Sequence, residues 1–573
     1  MKILRINMTE LSYKYEEIPK EQLLLGGRAM TSSIIAKEVP PNAHPLGPNN
    51  KLVLSNGILT GSMASSAERS SLGGKSPLTG GIKESNAGGT AGLYMGKLGL
   101  RAIIFEGKYD EFQTIHISEK GVKFENAADI VGKKISESSD ILYEKYGKKD
   151  VSFYLIGVSG EMKMLTAAVT NPDKDNNPTR FYGRGGLGAV AGSKGIKAVV
   201  FDAKGAEKNR PMDRQRYNKV NKEYIMALRE TPGTGQTFPE LGTAALVKTT
   251  NALGALPTRN FSEGSFEKHE NISGETMRET ILERGGEGST THACMPGCMI
   301  RCSNIYADKD GKMVTSPIEY ENIGLLGSNL GIGDLDQIVK LNLLCNEFGI
   351  DTIETGGALG VAMQAGVLEF GDFEGAYNLL LELGKGSPAG RIIGSGATTV
   401  GKIYGVTHIP AVKGQTMAAY DPRAIKGLGV TYATSPMGAD HTAGQTIRTQ
   451  VDHKKREGQV ESSKNAQVNN MIYDMMGICY FAASAVAGKF EMLAELSSSY
   501  LGVEFTAEEI VQLAKDTLQK ELEFNRACGF SPADDRLPEH FYVEENKASK
   551  TVFDLTDDEL DSIGVASLEK VRV

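Results

Sequence analysis

Cysteine is scarce in this chain, with six residues in 573, too few for a disulfide framework. Histidine is nearly as rare, with eight residues, so any histidine in a polar, glycine-rich loop stands out. Basic charge is in deficit: 63 Lys and Arg against 71 Asp and Glu leave a net charge of −8 and a pI near 5.7. That balance argues against nucleic acid or an anionic membrane as the main partner. No apolar run is long enough for membrane insertion. The opening Met1-Lys-Ile-Leu-Arg-Ile6 passes directly into polar residues, without the apolar core of a signal peptide. These absences together describe a cytosolic (cytoplasmic) protein with reduced thiols. No internal repeat or low-complexity tract stands out, and residues 559–573 read as a loosely attached tail.

The length suggests three or four domains, and 40% hydrophobic with 23% charged residues is ordinary for a globular enzyme. Glycine is abundant, 67 residues with many in the first 205, which points to tight turns or backbone packed against a ligand. Short β-branched or aromatic runs at 51–55, 102–106, 151–156 and 196–201 predict strands. Beyond 205, apolar residues at helical spacing predict helices over 215–229, 334–348, 354–365, 376–383 and 507–527. The stretch 255–290 is polar and predicts a loop. The fold class is therefore α+β: a β-rich domain over 1–205, then two mainly helical domains over 206–410 and 411–573.

Three of the six cysteines stand at Cys294, Cys298 and Cys302, and a fourth at Cys479. Three clustered thiolates with one distant closing ligand suit an iron–sulfur cluster, because soft sulfur ligands match iron. Pro296 and Gly297 fit a tight turn within the first spacer. A structural zinc site would show paired C-x2-C halves, which are absent.

Gly183-Arg-Gly-Gly-Leu-Gly188 has the form of a dinucleotide loop, but a polar stretch precedes it where a strand would be needed. What survives is the physical part: glycines that expose backbone N–H groups to phosphate, with Arg180 and Arg184 as charge. Ser85-Asn86-Ala-Gly88-Gly-Thr90, with Arg69 upstream, has the same composition. Two such loops favour a phosphate-bearing cofactor. Asn346-Glu-Phe-Gly349-Ile350-Asp351 and Asp474-Met-Met-Gly477-Ile478-Cys479 share one pattern, a helix ending at glycine between polar side chains, and suggest a pseudo-symmetric pair of ligand clamps. Glu321, and His441 in a glycine-rich loop, are acid–base candidates.

These residues, with Lys75-Ser-Pro-Leu-Thr-Gly80, Gly183 through Lys194, Gly254-Ala-Leu-Pro-Thr-Arg-Asn-Phe261, Glu319-Tyr-Glu321, Leu428-Gly-Val-Thr-Tyr-Ala-Thr434 and Asp535-Arg-Leu-Pro538, resemble the tungsten-containing aldehyde ferredoxin oxidoreductase family over nearly the whole chain. The resemblance implies an N-terminal two-sheet base for the cofactor, covered by two helical domains. It implies tungsten (or molybdenum) held by the dithiolenes of two pterins. Arg69, Asn86, Gly88, Arg180, Phe181 and Gly183 would hold pterin and phosphates. Main-chain carbonyls of Asn86 and Phe181 would reach a bridging Mg2+. Asn346, Ile350, Asp351, Asp474 and Ile478 would contact the pterins from the helical side. Cys294, Cys298, Cys302 and Cys479 would bind one [4Fe–4S] cluster, with Glu321 and His441 as the acid–base pair. Aldehyde oxidation, with electrons passed to ferredoxin or an iron–sulfur partner subunit, would be the reaction.

The chain departs from that family at three points. Its first cysteine spacer is one residue longer, and Asn346 replaces an aspartate. Lys340-Leu-Asn-Leu343 stands where some members carry an iron-binding Glu-x-x-His pair, so a homodimer would have to form without bridging iron. Alternatives on the same scaffold are a ring- or thioester-reducing subunit of a larger complex. An S-adenosylmethionine radical enzyme is the reading from another class, and it lacks a role for Cys479.

Overall fold

The computed structural model describes residues 1–563 apart from 20, 21 and 208. Twelve strands form two six-stranded sheets. The first holds β1 (Lys2–Asn7), β2 (Ser12–Glu17), β3 (Leu52–Asn56), β4 (Ser70–Lys75), β5 (Ile82–Ala87) and β6 (Leu100–Glu106), in the order β2-β1-β6-β3-β4-β5. The second holds β7 (Gln113–Ser118), β8 (Gly121–Asn126), β9 (Val151–Ile156), β10 (Val169–Asn171), β11 (Arg180–Tyr182) and β12 (Ile196–Asp202), in the order β11-β10-β9-β12-β7-β8. The two orders are the same order. Each sheet pairs its first and last strands in parallel, β1 with β6 and β7 with β12, and its remaining neighbours antiparallel.

The fold therefore contains a repeat that the sequence reading missed. Gly99-Leu-Arg-Ala-Ile-Ile-Phe-Glu106 and Gly195-Ile-Lys-Ala-Val-Val-Phe-Asp202 are its trace, matching in character at every position. Each half inserts one long helix between its second and third strands, Gly27–Glu38 in the first and Ile135–Tyr146 in the second. The sheets bury a common core, with Leu4, Leu54 and Phe105 from one and Ile115, Tyr154 and Phe201 from the other. Their central strands are covered on both faces, which is why they read as continuous apolar runs.

The helical residues divide between two cores. One gathers residues between Ala244 and Ala439, with the returning Leu537 to Ile563 segment. The other joins Tyr217, Phe238, Ile300 and the 468–524 helices to the Gly27–Glu38 helix. The predicted helices form over Arg214–Glu230, Leu335–Phe348, Thr352–Gln364, Phe373–Lys385 and Ala507–Ala527. The predicted loop at 255–290 instead contains the helix Gly274–Arg284, with Ser273 Oγ accepting from Thr276 N at 3.2 Å. Its buried stripe is Met277 and Ile281 with little else apolar, too narrow for periodicity to show. The predicted tail is anchored at its start: Arg456 pairs with Glu559 at 2.8 Å, and Leu560 is buried. Residues 564–573 lie outside the described residues.

One device locks helices onto sheets twice. Gly57, just after β3, meets Gly477: a Cβ at Gly57 would lie 2.3 Å from the Gly477 Cα. Gly157, just after β9, meets Gly349: a Cβ there would lie 2.2 Å from the Phe348 carbonyl oxygen. Backbone hydrogen bonds fix both contacts, Ile58 N to Met475 O (3.1 Å) and Arg69 N to Gly477 O (3.1 Å) in one half, Ala168 N to Gly349 O (2.8 Å) in the other. Overpacking a tight site typically costs about 1–3 kcal/mol. Gly57→Ala and Gly157→Ala should each lower the unfolding free energy by at least about 1 kcal/mol, read as a lower midpoint in a chemical-denaturation series. Wild-type midpoints for both variants would show that the seats yield.

Candidate functional site

A cavity of about 370 Å³ lies where the open ends of both sheets face the helices. Hairpin register builds its sheet side. Because β4 and β5 pair Ser71 with Asn86, Arg69 just before β4 reaches across: its Nε donates to Asn86 Oδ1 at 2.6 Å and its Nη2 to the Asn86 carbonyl at 2.9 Å. In the other half, β10 and β11 pair Thr170 with Phe181 and Asn171 with Arg180. Arg180 donates to Ser303 Oγ (3.0 Å) and Ser316 Oγ (3.3 Å), while its Nε is buried without a partner. Asn171, fully buried, joins the two halves by donating to the carbonyls of Gly88 (2.9 Å) and Arg180 (3.0 Å). Sequence reasoning passed over Asn171 because it sits in a polar stretch with no motif.

The helical side brings both clamps onto this cavity. Asp474 Oδ1 accepts from Asn86 Nδ2 at 2.9 Å, and its Oδ2 lies 3.4 Å from Arg28, which is paired with Glu521. Burial pushes the Asp474 carboxyl well above its usual range, against the pull of Arg28 and Arg69. Asn346 donates to Thr315 Oγ1 at 3.1 Å. Asp351 caps the helix Thr352–Gln364 and lies 3.5 Å from Arg184 Nε. Asn342 joins Asn346 on the cavity wall, a pairing legible as i and i+4 on one helix face.

Of the residues singled out in the sequence, Arg69, Asn86, Gly88, Arg180, Phe181, Gly183, Asn346, Ile350, Asp351, Asp474, Glu321, His441, Cys294, Cys302 and Cys479 line the cavity. Cys298 and Ile478 are buried behind it. Two expectations need correction. Arg184 does not stand ready for phosphate: it donates to the carbonyls of Ala439 (2.8 Å) and Thr416 (2.5 Å). The later glycines of its loop serve packing, since a Cβ at Gly185 would lie 2.4 Å from the Lys83 side chain and one at Gly188 2.4 Å from Ala168 O. A strand, β11, does precede this loop and the helix Leu187–Ser193 follows it. That strand belongs to an antiparallel hairpin, so no βαβ unit forms.

The thiols come together from two distant segments. Cys294, Cys298 and Cys302 occupy the loop between the strands Ser289–His292 and Ser303–Ala307, with Gly297 at φ +75° in the turn. Cys479 is held by its own N–H on Ser66 O at 2.8 Å, and Cys298 Sγ lies 3.3 Å from Ser66 Oγ. Burial pushes the Cys294 thiol up to about 12, with Cys298 and Cys479 adding repulsion, and burial also raises Cys302 well above the usual thiol range. Cys479 is raised by burial too, against the pull of Arg69. Among the described residues no three His, Cys, Asp or Glu side chains converge on a single ion. Cys345 and Cys528 lie elsewhere.

Glu321 and His441 meet at the cavity, His441 Nε2 lying 3.4 Å from Glu321 Oε1. Glu321 Oε2 accepts from Ala419 N at 2.8 Å, whereas Oε1 and His441 Nδ1 are buried without hydrogen-bond partners. Burial raises the Glu321 carboxyl, His441 and Arg184 opposing. Beneath them, Lys83 Nζ donates to Asp440 Oδ2 at 2.5 Å, both groups buried. Burial works against the Asp440 carboxylate, but Lys83 and Arg184 hold its carboxyl well below the usual range. A depressed carboxyl contributes stability that is present above the unfolded value near 4 and lost on acidification.

Comparison with known proteins shows that this fold belongs to an oxidoreductase. The aldehyde ferredoxin oxidoreductase N-terminal domain matches residues 3–203, and domains 2 and 3 of that family match residues 219–562. The chain belongs to the aldehyde ferredoxin oxidoreductase family. It is 33% identical over 572 residues to the tungsten-containing aldehyde ferredoxin oxidoreductase of Pyrococcus horikoshii, covering 95% of this chain and 91% of that one. The Pyrococcus furiosus enzyme of the same name is 31% identical with the same coverage. An aliphatic sulfonate oxidoreductase, WOR-like subunit, of Pyrococcus furiosus is 27% identical, covering 89% of this chain and 83% of that one. The fold is shared with the active site complex BamBC of benzoyl coenzyme A reductase bound to 1,5-dienoyl-CoA, at a TM-score of 0.80 and 18% identity, covering 99% and 94%.

Breaking one partner of a buried ion pair typically costs about 3–5 kcal/mol. Asp440→Asn should therefore destabilise the protein by that order in denaturant titration at pH 7, while Asp440→Asn with Lys83→Met should recover part of the loss. A single variant as stable as the wild type would show that the pair is not held as described.

Proposed function

We propose that this protein oxidises an aldehyde to a carboxylic acid at a tungsten (or molybdenum) ion carried by two pterins in the central cavity, and that electrons leave through one [4Fe–4S] cluster to ferredoxin or an iron–sulfur subunit. The observation that carries the reading is the Glu321–His441 pair, with bare polar atoms buried in a cavity walled by both glycine loops and by the thiol set. When bound, the pterin-held metal supplies two-electron redox chemistry and the cluster passes those electrons on singly.

Arg69 and Arg180 would hold pterin and its phosphates from the two sheets, with the backbone at Asn86, Gly88, Phe181 and Gly183. Asn346, Ile350, Asp351, Asp474 and Ile478 would hold the rings from the helices. Carbonyls of Asn86 and Phe181 would ligate Mg2+, which asks the Asn86 carbonyl to share its present bond from Arg69. Cys294, Cys298, Cys302 and Cys479 would ligate the cluster. The net change takes an aldehyde and water to an acid, two electrons and two protons. Glu321 takes a proton from the adding water at Oε1. A carboxyl raised by burial is a better base near neutrality than an ordinary one. His441 donates to the carbonyl oxygen, where negative charge develops.

Two outcomes test this. Glu321→Gln should keep tungsten, iron and pterin yet lose at least about a hundredfold in turnover with any accepted aldehyde. Full turnover by the loaded variant would sink the assignment. Cys479→Ser should lose iron by metal analysis, with Cys345→Ser and Cys528→Ser retaining about four per chain, the content of one [4Fe–4S] cluster; equal loss in all three would refute the ligand set.

A further inference from the structure

The central cavity opens beside the Glu321–His441 pair. Of the residues that line it, only Thr442 and Arg448 are exposed, so these two mark its mouth, and Thr442 is the chain neighbour of His441. Ile447, Tyr480 and Phe481 line the cavity close to Arg448 and are half-buried, which gives this end an apolar and aromatic character. Tyr420 connects it to the interior. Its ring centroid lies 5.8 Å from that of His441. Burial raises its hydroxyl, with Glu321 and Tyr480 among the groups that add to the effect.

Four arginines line this cavity. Arg69 donates to Asn86, Arg180 to Ser303 and Ser316, and Arg184 to the Ala439 and Thr416 carbonyls. Arg448 differs: among the described residues it makes no hydrogen bond and no ion pair. Its guanidinium lies instead against three rings, 4.8 Å from the centroid of Phe238, 5.6 Å from Tyr480 and 5.9 Å from Phe481. Phe238 and Phe481 in turn pack edge to face at 5.0 Å. Rings that take a guanidinium by its face fix its orientation and leave its N–H donors free for an oxyanion. No carboxylate of the wall competes for them at the mouth, since every acidic residue lining the cavity is buried or half-buried.

We infer that the substrate is an aldehyde carrying a carboxylate at its far end, across an apolar or aromatic spacer, and that Arg448 selects it by pairing with that carboxylate at the mouth. The inference rests on the aldehyde-oxidising reading above and adds to it the class of aldehyde. With the carboxylate on Arg448, the spacer lies along Ile447 and Phe481 and the formyl group reaches inward to Glu321 and His441. A guanidinium with free donors matches a carboxylate in geometry as well as charge. The aromatic wall beneath it favours a flat or apolar spacer over a hydrated one.

The probes are three acids of increasing reach, succinic semialdehyde, 4-carboxybenzaldehyde and 4′-formylbiphenyl-4-carboxylic acid, each compared with its uncharged methyl ester. At low ionic strength at least one acid should exceed its ester in kcat/KM by about fivefold, the upper end of what a solvent-accessible ion pair supplies. Added salt should shrink that ratio. Arg448→Met should bring it to about one and Arg448→Lys should keep part of it, with tungsten and iron contents equal to wild type in both. Ratios near one for all three acids in the wild type, or a wild-type ratio surviving in Arg448→Met, would overturn the inference. If no aldehyde is turned over at all, the aldehyde-oxidising reading falls instead. Calorimetry of the metal-loaded protein with succinate, terephthalate and biphenyl-4,4′-dicarboxylate then decides the anion site: weaker binding by Arg448→Met would keep it, and equal affinity in both proteins would remove it.

Discussion

The structure depends on two places where backbone touches backbone. At Gly57 against Gly477 and at Gly157 against Gly349, an added Cβ would lie 2.2–2.3 Å from main-chain atoms, well inside van der Waals contact. Nothing flexible could move aside there. Each contact ends a sheet strand on the same glycine that ends a clamp helix, and the hydrogen bonds around it are main-chain to main-chain. Clamp residues on either side of those glycines, Asp474 and Ile478 in one half and Asn346, Ile350 and Asp351 in the other, are thus placed by the sheets rather than by the helices that carry them. The cavity between them inherits the rigidity of two hairpins.

Duplication makes this economical in sequence. One fold pattern, used twice, brings two hairpins to the same space: Arg69 and Gly88 flank the open end of one, and Arg180 and Gly183 bracket the last strand of the other, although Arg180 does not occupy the position equivalent to Arg69. Asn171 fastens the halves by holding a carbonyl from each. A buried amide satisfied by two carbonyls from different elements fixes their spacing more firmly than apolar packing, since losing either bond strands a polar group.

Much of this was legible in the residues. The four strands predicted from β-branched and aromatic runs form within a residue or two, because burial on both faces leaves only apolar side chains in the interior strands. The cysteine set and both clamp hexapeptides were visible because their residue types recur at fixed spacing, and most of them reach one cavity. The repeat was missed although Gly99 to Glu106 and Gly195 to Asp202 match in character throughout, since loops of unequal length separate the remaining strands. Arg184 and its glycine loop were misread because the sequence shows neither the Ala439 and Thr416 carbonyls that take the arginine's donors nor the Lys83 side chain packed against Gly185. His441 stood out as a rare histidine in a glycine-rich loop, but nothing local in the sequence pairs it with Glu321. They meet because the Tyr320–Leu326 helix packs beneath the 418–441 segment, a contact set by tertiary structure.

Charge explains why thiols and arginines share one wall. Cys294 and Cys479 are each raised by burial and lowered by Arg69, and Arg180 acts on Cys294 as well. Four thiolates in a dry pocket would be prohibitive by themselves. One arginine from each half stands beside them, and each also faces the cavity. In the proposed function the same two cations would balance anionic groups on both sides, thiolates behind and pterin phosphate in front, so removing either would disturb both.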